Sequence, residues 1–271
     1  MAILTHGSDL TLAPTITPLV KSGGGTVRRA MSAIAEAGFP AVQLDAALRG
    51  TRPRELGPSA RRDLFATAAR VGLRVAGLEL FVPRKHLIDS AHVDRATAAL
   101  VDAIELAGEL GRVTLSTAMP VDTLTGEVGG AILEAADGHG VPLAIHAEGE
   151  LDAAAEAVAS IDRGSARVGL SLDPATLILQ GHDPAAAVQQ HGKALVAARL
   201  SDADRGLGQR VSIGQGDLDV AAYRIGVDLA SSRPGPVVLD LRGLHDPAAA
   251  MRLAAEAWED ATFTLDSPHE R

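Results

Sequence analysis

Residues 196–219 combine a strand-like apolar run with a dense group of charges. This segment, VAARLSDADRGLGQRVSIGQGDLD, carries the charged side chains Arg199, Asp202, Asp204, Arg205 and Arg210. Carboxylates in such a group can hold a metal ion, whereas arginines bind anions and cannot ligate a metal. The charges can also close a loop through ion pairs alone. The residue types leave all three interpretations open.

Strand-like and helix-like segments alternate along the chain and must position these charges. Apolar, β-branched runs predict strands, and alanine-rich stretches of helical period predict helices. The predicted strands are 10–16, 41–46, 74–82, 112–118, 141–148, 167–173, one starting at 196, and 235–241. The predicted helices are 26–38, 59–72, 91–111, one near 125–138, 151–161, 183–192, 218–232 and 246–258. The pattern gives eight strand–helix units, and residues 259–271 are predicted to form a short polar tail.

Eight such units predict one α/β domain over residues 1–271, a closed (β/α)8 TIM barrel. The predicted strands lack in/out alternation, which is typical of parallel strands buried on both faces. A doubly wound open sheet is the alternative, and it requires a glycine-rich turn after the first strand. The SGGGT segment at 22–26 occupies that place without the G-x-G-x-x-G spacing or a P-loop lysine. We therefore expect no nucleotide cofactor.

Polar residues at the strand ends are the candidates for chemistry, because TIM-barrel active sites lie at the C-terminal ends of the strands. The second and third strands offer Gln43, Asp45 and Glu79. The last four strand ends are more polar and offer His146, Glu148, Asp173, Arg199, Arg205, Asp240 and Arg242. We therefore predict the site at the last four strands.

Composition excludes several classes of partner. The chain has a net charge of −9 and a pI near 5.4, which argues against nucleic acid or an anionic membrane as a partner. It contains no cysteine, so disulfides and thiolate sites are excluded. We see no signal peptide and no apolar run near the roughly 20 residues of a membrane span. A cytoplasmic location is the expectation.

The order of motifs over residues 165–245 resembles the sugar phosphate isomerase/epimerase superfamily of xylose isomerase-like TIM barrels, especially its D-tagatose 3-epimerase branch. The matching features are a strand ending at Asp173, GHDP at 181–184, Asp202 after the seventh strand, Arg205–Gly206, IGQGDLD at 213–219 and a strand ending at Asp240. From 25 to 160 the resemblance is diffuse but compatible. It implies a carbohydrate isomerase or epimerase that moves a proton next to a carbonyl group.

The resemblance also implies a divalent metal, Mn²⁺ or Mg²⁺, held by Glu, Asp, His and Glu from the last four strands. These positions carry His146, Asp173, Arg199 and Asp240 here, with Glu148 two residues beyond His146. Two further histidine positions of the family carry Thr176 and Arg210, and its substrate-contacting arginine is kept as Arg205. Arginine therefore stands at two positions where the family has histidine.

The predicted catalytic residues are His146, Glu148, Asp173 and Asp240, and the predicted substrate-binding residues are Arg199, Arg205, Arg210 and Arg242. In one arrangement the arginines replace the charge of the metal and stabilise an enediolate, while His146 or Glu148 transfers the proton. In another, His146, Asp173 and Asp240 join Glu148 in a rearranged metal site. In a purely structural arrangement, Arg199 forms a buried ion pair with Asp173 or Asp240.

Two functional hypotheses follow. The first is an isomerase, epimerase or related lyase acting on a small-molecule sugar or sugar acid. The second is a non-catalytic binding or partner subunit that kept the barrel and lost the metal site. Homo-oligomers are common in the family that this chain resembles, so a homo-oligomer is an expectation under both hypotheses.

Overall fold

The computed structural model describes residues 10–23, 25–147, 150–161, 167–230 and 235–266. Within these ranges, eight parallel strands form one sheet, and a two-stranded hairpin follows its seventh strand. The sheet consists of β1 (Leu12–Pro14), β2 (Ala41–Asp45), β3 (Arg74–Glu79), β4 (Thr114–Ala118), β5 (Leu143–His146), β6 (Val168–Leu172), β7 (Leu195–Leu200) and β10 (Val237–Leu239). The hairpin consists of β8 (Asp202–Asp204) and β9 (Gln209–Val211).

Helices follow the strands and cover the outside of the sheet. They are α1 (Ile16–Ser22), α2 (Val27–Glu36), α3 (Pro58–Arg70), α4 (Val93–Glu109), α5 (Val121–Leu124), α6 (Glu127–His139), α7 (Leu151–Ser160), α8 (Pro174–Leu179), α9 (Pro184–His191), α10 (Val220–Leu229) and α11 (Pro247–Asp266). No helix in the described ranges is both long and apolar enough to cross a membrane.

The sheet curls into a nearly closed barrel. Its strand order is β1-β10-β7-β6-β5-β4-β3-β2, and each hydrogen-bonded neighbour runs parallel. A parallel bridge between Thr15 and Gln43 joins the two ends of the sheet. The predicted (β/α)8 TIM barrel is confirmed, and the doubly wound alternative is wrong.

Burial on both faces of the strands explains why their sequences lack alternation. All five residues of β6 and all six of β7 are buried, including Arg199. Helix α4 buries an apolar face that includes Leu100, Ala103 and Ile104. Burying a leucine or isoleucine side chain stabilises the fold by roughly 1.5–3 kcal/mol, so this covered sheet is a large source of stability.

Helices α1 and α8 lie where the sequence analysis predicts strand or loop. Helix α1 begins at Ile16, the last residue of the predicted first strand, and buries Ile16 and Leu19 one turn apart. Helix α8 follows β6 directly, with Pro174 at its first position, where the missing N–H of proline costs nothing. Both are short, so helical periodicity is weak over their length.

The charged segment after β7 is a hairpin rather than a loop. Strands β8 and β9 pair antiparallel, with Ala203 opposite Arg210. Buried Asp202 organises the turn that follows, because its carboxylate accepts backbone N–H groups of Ala203, Gly214, Gly216 and Leu218 at 2.8–3.0 Å. Asp202 therefore caps a turn inside the protein.

The chain end also differs from the prediction. Helix α11 continues to Asp266 and not to 258, so residues 259–266 are helical and the predicted polar tail is wrong there. Ala254, Trp258 and Ala261 are buried on this helix. The apolar face thus continues past the predicted end and keeps the helix docked. Residues 267–271 lie outside the described ranges.

Gly169 tests how tightly β6 and β7 pack. A Cβ atom added there would lie 2.2 Å from the Ala194 carbonyl oxygen and 2.4 Å from Val196 Cγ2. We expect Gly169→Ala to lower the free energy of unfolding by about 1–3 kcal/mol, as overpacking does. Exposed Gly138 in α6 has nothing within 4 Å of an added Cβ atom. The substitution Gly138→Ala should therefore raise the free energy of unfolding by about 0.5–1 kcal/mol. Urea denaturation measures both, and equal effects would contradict the packing account.

Candidate active site

A cluster of three arginines and three carboxylates fills the C-terminal end of the barrel. Its members are Glu79 at the end of β3, Asp173 after β6, Arg199 in β7, Arg210 in β9, and Asp240 and Arg242 after β10. Parallel strands bring these residues together, because their carboxyl ends meet at one rim of the barrel. The structure therefore joins five predicted site residues with Glu79, which the prediction left as a secondary candidate.

Arg199 is the centre of this cluster and is completely buried. Its Nη2 donates to Glu79, and its Nε lies 3.2 Å from Asp240 Oδ2. The Tyr223 hydroxyl donates to its backbone carbonyl at 2.8 Å. The Nη1 group has no hydrogen-bond partner among the described residues. Arg199 therefore pairs with Asp240, as the structural interpretation predicts, but not with Asp173.

Asp240 accepts hydrogen bonds from all three arginines. Arg242 approaches it through Nη2 at 2.5 Å and Nε at 2.9 Å, and Arg210 Nη1 lies 3.2 Å away. Burial by itself would raise the pKa of Asp240, but Arg199, Arg242 and Arg210 offset it and hold that pKa well below its usual range. Asp240 is therefore ionised and serves as their common counter-ion.

Asp173 is a second carboxylate that accepts several hydrogen bonds, and it lies at the edge of a cavity. Arg210 Nη2 donates to its Oδ2, and the Ser201 hydroxyl donates to its Oδ1 at 2.6 Å. Thr176, at a family histidine position, donates to it at 3.1 Å. Burial opposes ionisation of Asp173, but Arg210 outweighs it and lowers its pKa. This carboxylate is also ionised near neutral pH.

The pKa of Glu79 is raised, whereas the pKa values of the two aspartates are lowered. It is 1% exposed, and burial raises its pKa to about 7, although Arg199 and Arg242 limit the rise. Near neutral pH the three arginines therefore face two fully ionised carboxylates and a third that is partly protonated. The cluster carries a small excess of positive charge, which favours an anionic group nearby.

His146 lies at the end of β5 with its imidazole Nε2 buried and without a partner among the described residues. Its ring packs edge-on against Phe81, with centroids 4.8 Å apart. Burial, assisted by the charge of Arg199, lowers its pKa well below the usual value. The imidazole is therefore neutral near pH 7. Its register neighbour on β6, Ser171, also has an unpartnered hydroxyl.

A cavity of about 440 Å³ opens beside His146, and we call it the His146 cavity. Its polar lining comes from His146, Ser171, Asp173, Thr176, Gln180, Arg210 and Arg242. Its volume is typical of small-molecule sites, roughly 300–1,000 Å³. Buried polar atoms without partners cost free energy, so a ligand that bonds to His146 and Ser171 would be favoured.

Arg205 is neither a member of this cluster nor part of the lining of the His146 cavity. It is exposed, and its Nε donates to the Ile178 carbonyl of α8 at 3.1 Å. Its contact with substrate therefore stays a prediction. Glu148 lies outside the described residues.

The cluster does not fit a divalent metal. Asp173, Asp240 and Glu79 each already pair with a guanidinium group, and Arg199 occupies the position where the family has a metal-binding imidazole. Within the described residues, no three His, Asp or Glu side chains are arranged to hold a metal ion. The predicted metal ligands His146, Asp173 and Asp240 therefore do not fit a metal ion as they are arranged, because guanidinium groups bond to the carboxylate oxygens of both aspartates.

Sequence reasoning undervalued Glu79 and missed Phe81 and Tyr223. Glu79 is 120 positions from Arg199, and no spacing rule connects the third strand to the seventh. The available signal was a carboxylate at the end of an otherwise apolar strand. Such a residue requires a buried partner.

The profile of a family described as "Xylose isomerase-like TIM barrel" matches residues 31–261. No curated protein matches the sequence significantly. Among solved structures, 3-keto-D-glucoside 4-epimerase from E. coli superposes with a TM-score of 0.73 at 14% identity, covering 93% of this chain and 99% of that chain. A D-tagatose 3-epimerase-like protein gives 0.72 at 15% identity, covering 94% and 99%.

A third neighbour is a xylose isomerase-like TIM barrel protein from Mycobacterium smegmatis, solved in complex with magnesium. It gives a TM-score of 0.68 at 14% identity, covering 95% of this chain and 98% of that chain. At these identities the structural likeness shows the shared fold and nothing of the substrate. The magnesium in that relative also contrasts with the ion-paired cluster of this chain.

Removing Arg199 should destabilise the protein severely, because Glu79 would be left buried without a cation. We expect Arg199→Ala to lower the free energy of unfolding by about 3–5 kcal/mol. The double variant Arg199→Met with Glu79→Gln removes both charges and should recover part of this loss. Arg62→Ala, at an exposed position in α3, should change it by less than about 0.5 kcal/mol. Urea denaturation that finds the Arg199 and Arg62 variants equally stable would contradict this account.

Glu79 should also couple stability to pH. Its folded-state pKa of about 7 lies above its ordinary value of 4.5, so the folded protein binds this proton more tightly than the unfolded chain. Its contribution to stability therefore rises as the pH falls from about 8 to about 5. Relative to Glu79→Gln, the wild type should gain about 2 kcal/mol over this range. Unfolding curves at several pH values measure the difference.

Protonation of His146 changes the free energy of unfolding with pH in the opposite direction. The wild type must therefore be compared with the Glu79→Gln variant. Its folded-state pKa is lowered, so its contribution to stability is lost as the pH falls below the ordinary value of 6.5. The Glu79→Gln variant retains His146, so subtracting the two curves isolates Glu79. A difference that stays constant with pH would show that the Glu79 pKa is not raised.

Proposed function

The chain belongs to the xylose isomerase-like TIM barrel family, and on that premise we propose that it catalyses proton transfer at the carbon next to the carbonyl of a sugar or sugar acid. In this proposal, arginines take the electrostatic role for which relatives use a divalent metal. The observation that carries it is the neutral imidazole of His146, whose buried Nε2 has no partner among the described residues and which lines a ligand-sized cavity beside the arginine cluster.

The proposed base is His146. A neutral imidazole with a free nitrogen can accept a proton, and a buried one has no competing partner to displace. As the proton moves from the substrate carbon to the imidazole, the bonding electron pair moves to the carbonyl oxygen and forms an enediolate. The imidazolium then protonates the neighbouring carbon, while the hydroxyl proton of the first carbon moves to the former carbonyl oxygen, which completes an isomerisation. Epimerisation instead requires a second acid that protonates the same carbon from the opposite face.

The proposed stabiliser of the enediolate is the guanidinium pair of Arg210 and Arg242. Both line the His146 cavity and are fixed by Asp173 and Asp240, so they require little reorganisation as charge develops. Arg199, completely buried beside Asp240, adds a third positive charge to the cluster. This refines the sequence-based roles, because Asp240 is placed to position arginines and Asp173 both positions an arginine and lines the cavity.

The alternative is a non-catalytic binding subunit, and one observation favours it. Each carboxylate of the cluster is neutralised within the protein, as it would be in a structural ion-pair network. Both functions predict that a sugar or sugar acid binds in the His146 cavity. Only the enzymatic function predicts that bound ligand exchanges its hydrogen with solvent.

Hydrogen exchange in D2O tests the enzymatic function. We expect the wild type, dialysed against EDTA, to replace the hydrogen next to the carbonyl in at least one member of a panel of ketoses, aldoses and sugar acids. His146→Asn should lower the exchange rate by at least about 100-fold, in the range typical of a lost general base. NMR follows the hydrogen signal over time.

His182→Asn is the matched control, since His182 is exposed and does not line the cavity. It should exchange at the wild-type rate. Exchange that disappears on EDTA treatment and returns with Mn²⁺ would overturn the role of the arginines. Binding of a panel member without any exchange would favour the non-catalytic subunit.

A further inference from the structure

A second cavity, of about 610 Å³, opens on the other half of the barrel mouth. Its lining includes Thr17, Lys21, Asp45, Ala47, Glu79 and Leu244. These residues come from the first three strand–helix units and from the segment after β10, whereas the His146 cavity is built mainly on β5, β6 and the hairpin. The proposed reaction does not use the second cavity.

Arg242 and Phe81 form the boundary between the two cavities. The Arg242 guanidinium carbon lies 4.6 Å from the centre of the Phe81 ring, and both side chains line both cavities. Asp240 holds Arg242 in this position through two of its nitrogens. A ligand that extends from one cavity into the other therefore passes the same guanidinium that is placed to stabilise the enediolate.

The second cavity presents groups that suit hydroxyls. Glu79 lines this cavity and pairs with Arg199 through Oε2, so its second carboxyl oxygen can bond to a hydroxyl. Thr17 donates to Asp45 at 2.7 Å, which leaves the threonine oxygen able to accept a hydrogen bond. Apolar contacts come from Leu244 and Pro247.

The second cavity differs from the first in the carboxyl groups of its lining. Asp45 and Glu79 lie there beside the cations Lys21 and Arg242. Carboxyl groups bond to hydroxyls, so they favour a neutral group rich in hydroxyls. The His146 cavity lies instead against the arginine cluster, where an anionic or enediolate group is favoured. The two halves of the mouth thus suit two different parts of one molecule.

We propose that the second cavity is a subsite for a neutral, polyhydroxylated second unit, so that the preferred ligand is a two-unit molecule such as a disaccharide or glycoside. The reacting unit occupies the His146 cavity, and the linkage passes Arg242. Each cavity by itself has the volume of a small-molecule site, which supports a ligand larger than one sugar ring. This inference rests on the proposed function for the identity of the reacting unit.

Binding measurements on two variants, each with one alanine replaced by tryptophan, test the subsite. Ala47 lines only the second cavity and Ala147 only the His146 cavity, so Ala47→Trp and Ala147→Trp block one cavity each. The probes are three two-unit molecules, each paired with the free form of its terminal unit: lactulose with fructose, maltose with glucose, and the disaccharide acid lactobionate with gluconate. Calorimetry measures the affinity of each probe for the wild type and both variants.

We expect the wild type to bind at least one disaccharide ten-fold or more tightly than its free unit. Ala47→Trp should abolish that preference and leave the free unit within two-fold of wild type, whereas Ala147→Trp should weaken both. Should Ala47→Trp fail to fold, exposed Ser22→Trp blocks the same cavity. The subsite is refuted by equal binding of every disaccharide and its free unit, or by a preference that survives these variants.

The same samples separate this inference from the proposed function. A two-unit preference without hydrogen exchange in D2O leaves the subsite standing and removes the reaction. Exchange of a free monosaccharide at the same rate as its disaccharide, with no affinity difference, keeps the reaction and removes the subsite.

Discussion

The burial of one guanidinium group, that of Arg199, governs the architecture of the barrel mouth. A buried cation is tolerated only where carboxylates compensate its charge. Asp240 provides this compensation from beyond the neighbouring strand β10, and Glu79 provides it from β3 on the opposite side of the barrel. Asp240 then attracts Arg210 and Arg242, and Arg210 in turn holds Asp173. The guanidinium group of Arg199, near the end of β7, is thus linked through ion pairs to every charged residue of the cluster.

The barrel can be predicted from the sequence because its signal is repeated eight times. Each strand is a short apolar run buried on both faces, and each error in a boundary leaves the order of units unchanged. Helices α1 and α8 could not be predicted in the same way, since six or seven residues contain too little periodicity. The hairpin of β8 and β9 was not predicted, because its strands are three residues long and rich in charge.

The candidate site could be predicted only as far as strand order determines it. Asp173, Arg199 and Asp240 follow buried strands, so the fold alone brings them to one rim. Which cation pairs with which carboxylate depends on side-chain directions and on Glu79, which is remote in sequence. Arg205 shows the limit, because the family motif is retained while its side chain bonds to the Ile178 carbonyl.

If arginines take the role of a metal ion, as we propose, the control of the site changes. A metal is exchangeable, and its occupancy depends on the surrounding concentration of that metal, whereas guanidinium groups are permanent parts of the chain. Their net effect is then adjusted by the carboxylates around them. Asp173 and Asp240 remain ionised, but burial raises the pKa of Glu79 to about 7. The positive potential that the mouth offers a ligand is therefore linked to the protonation of a residue at the border of the second cavity.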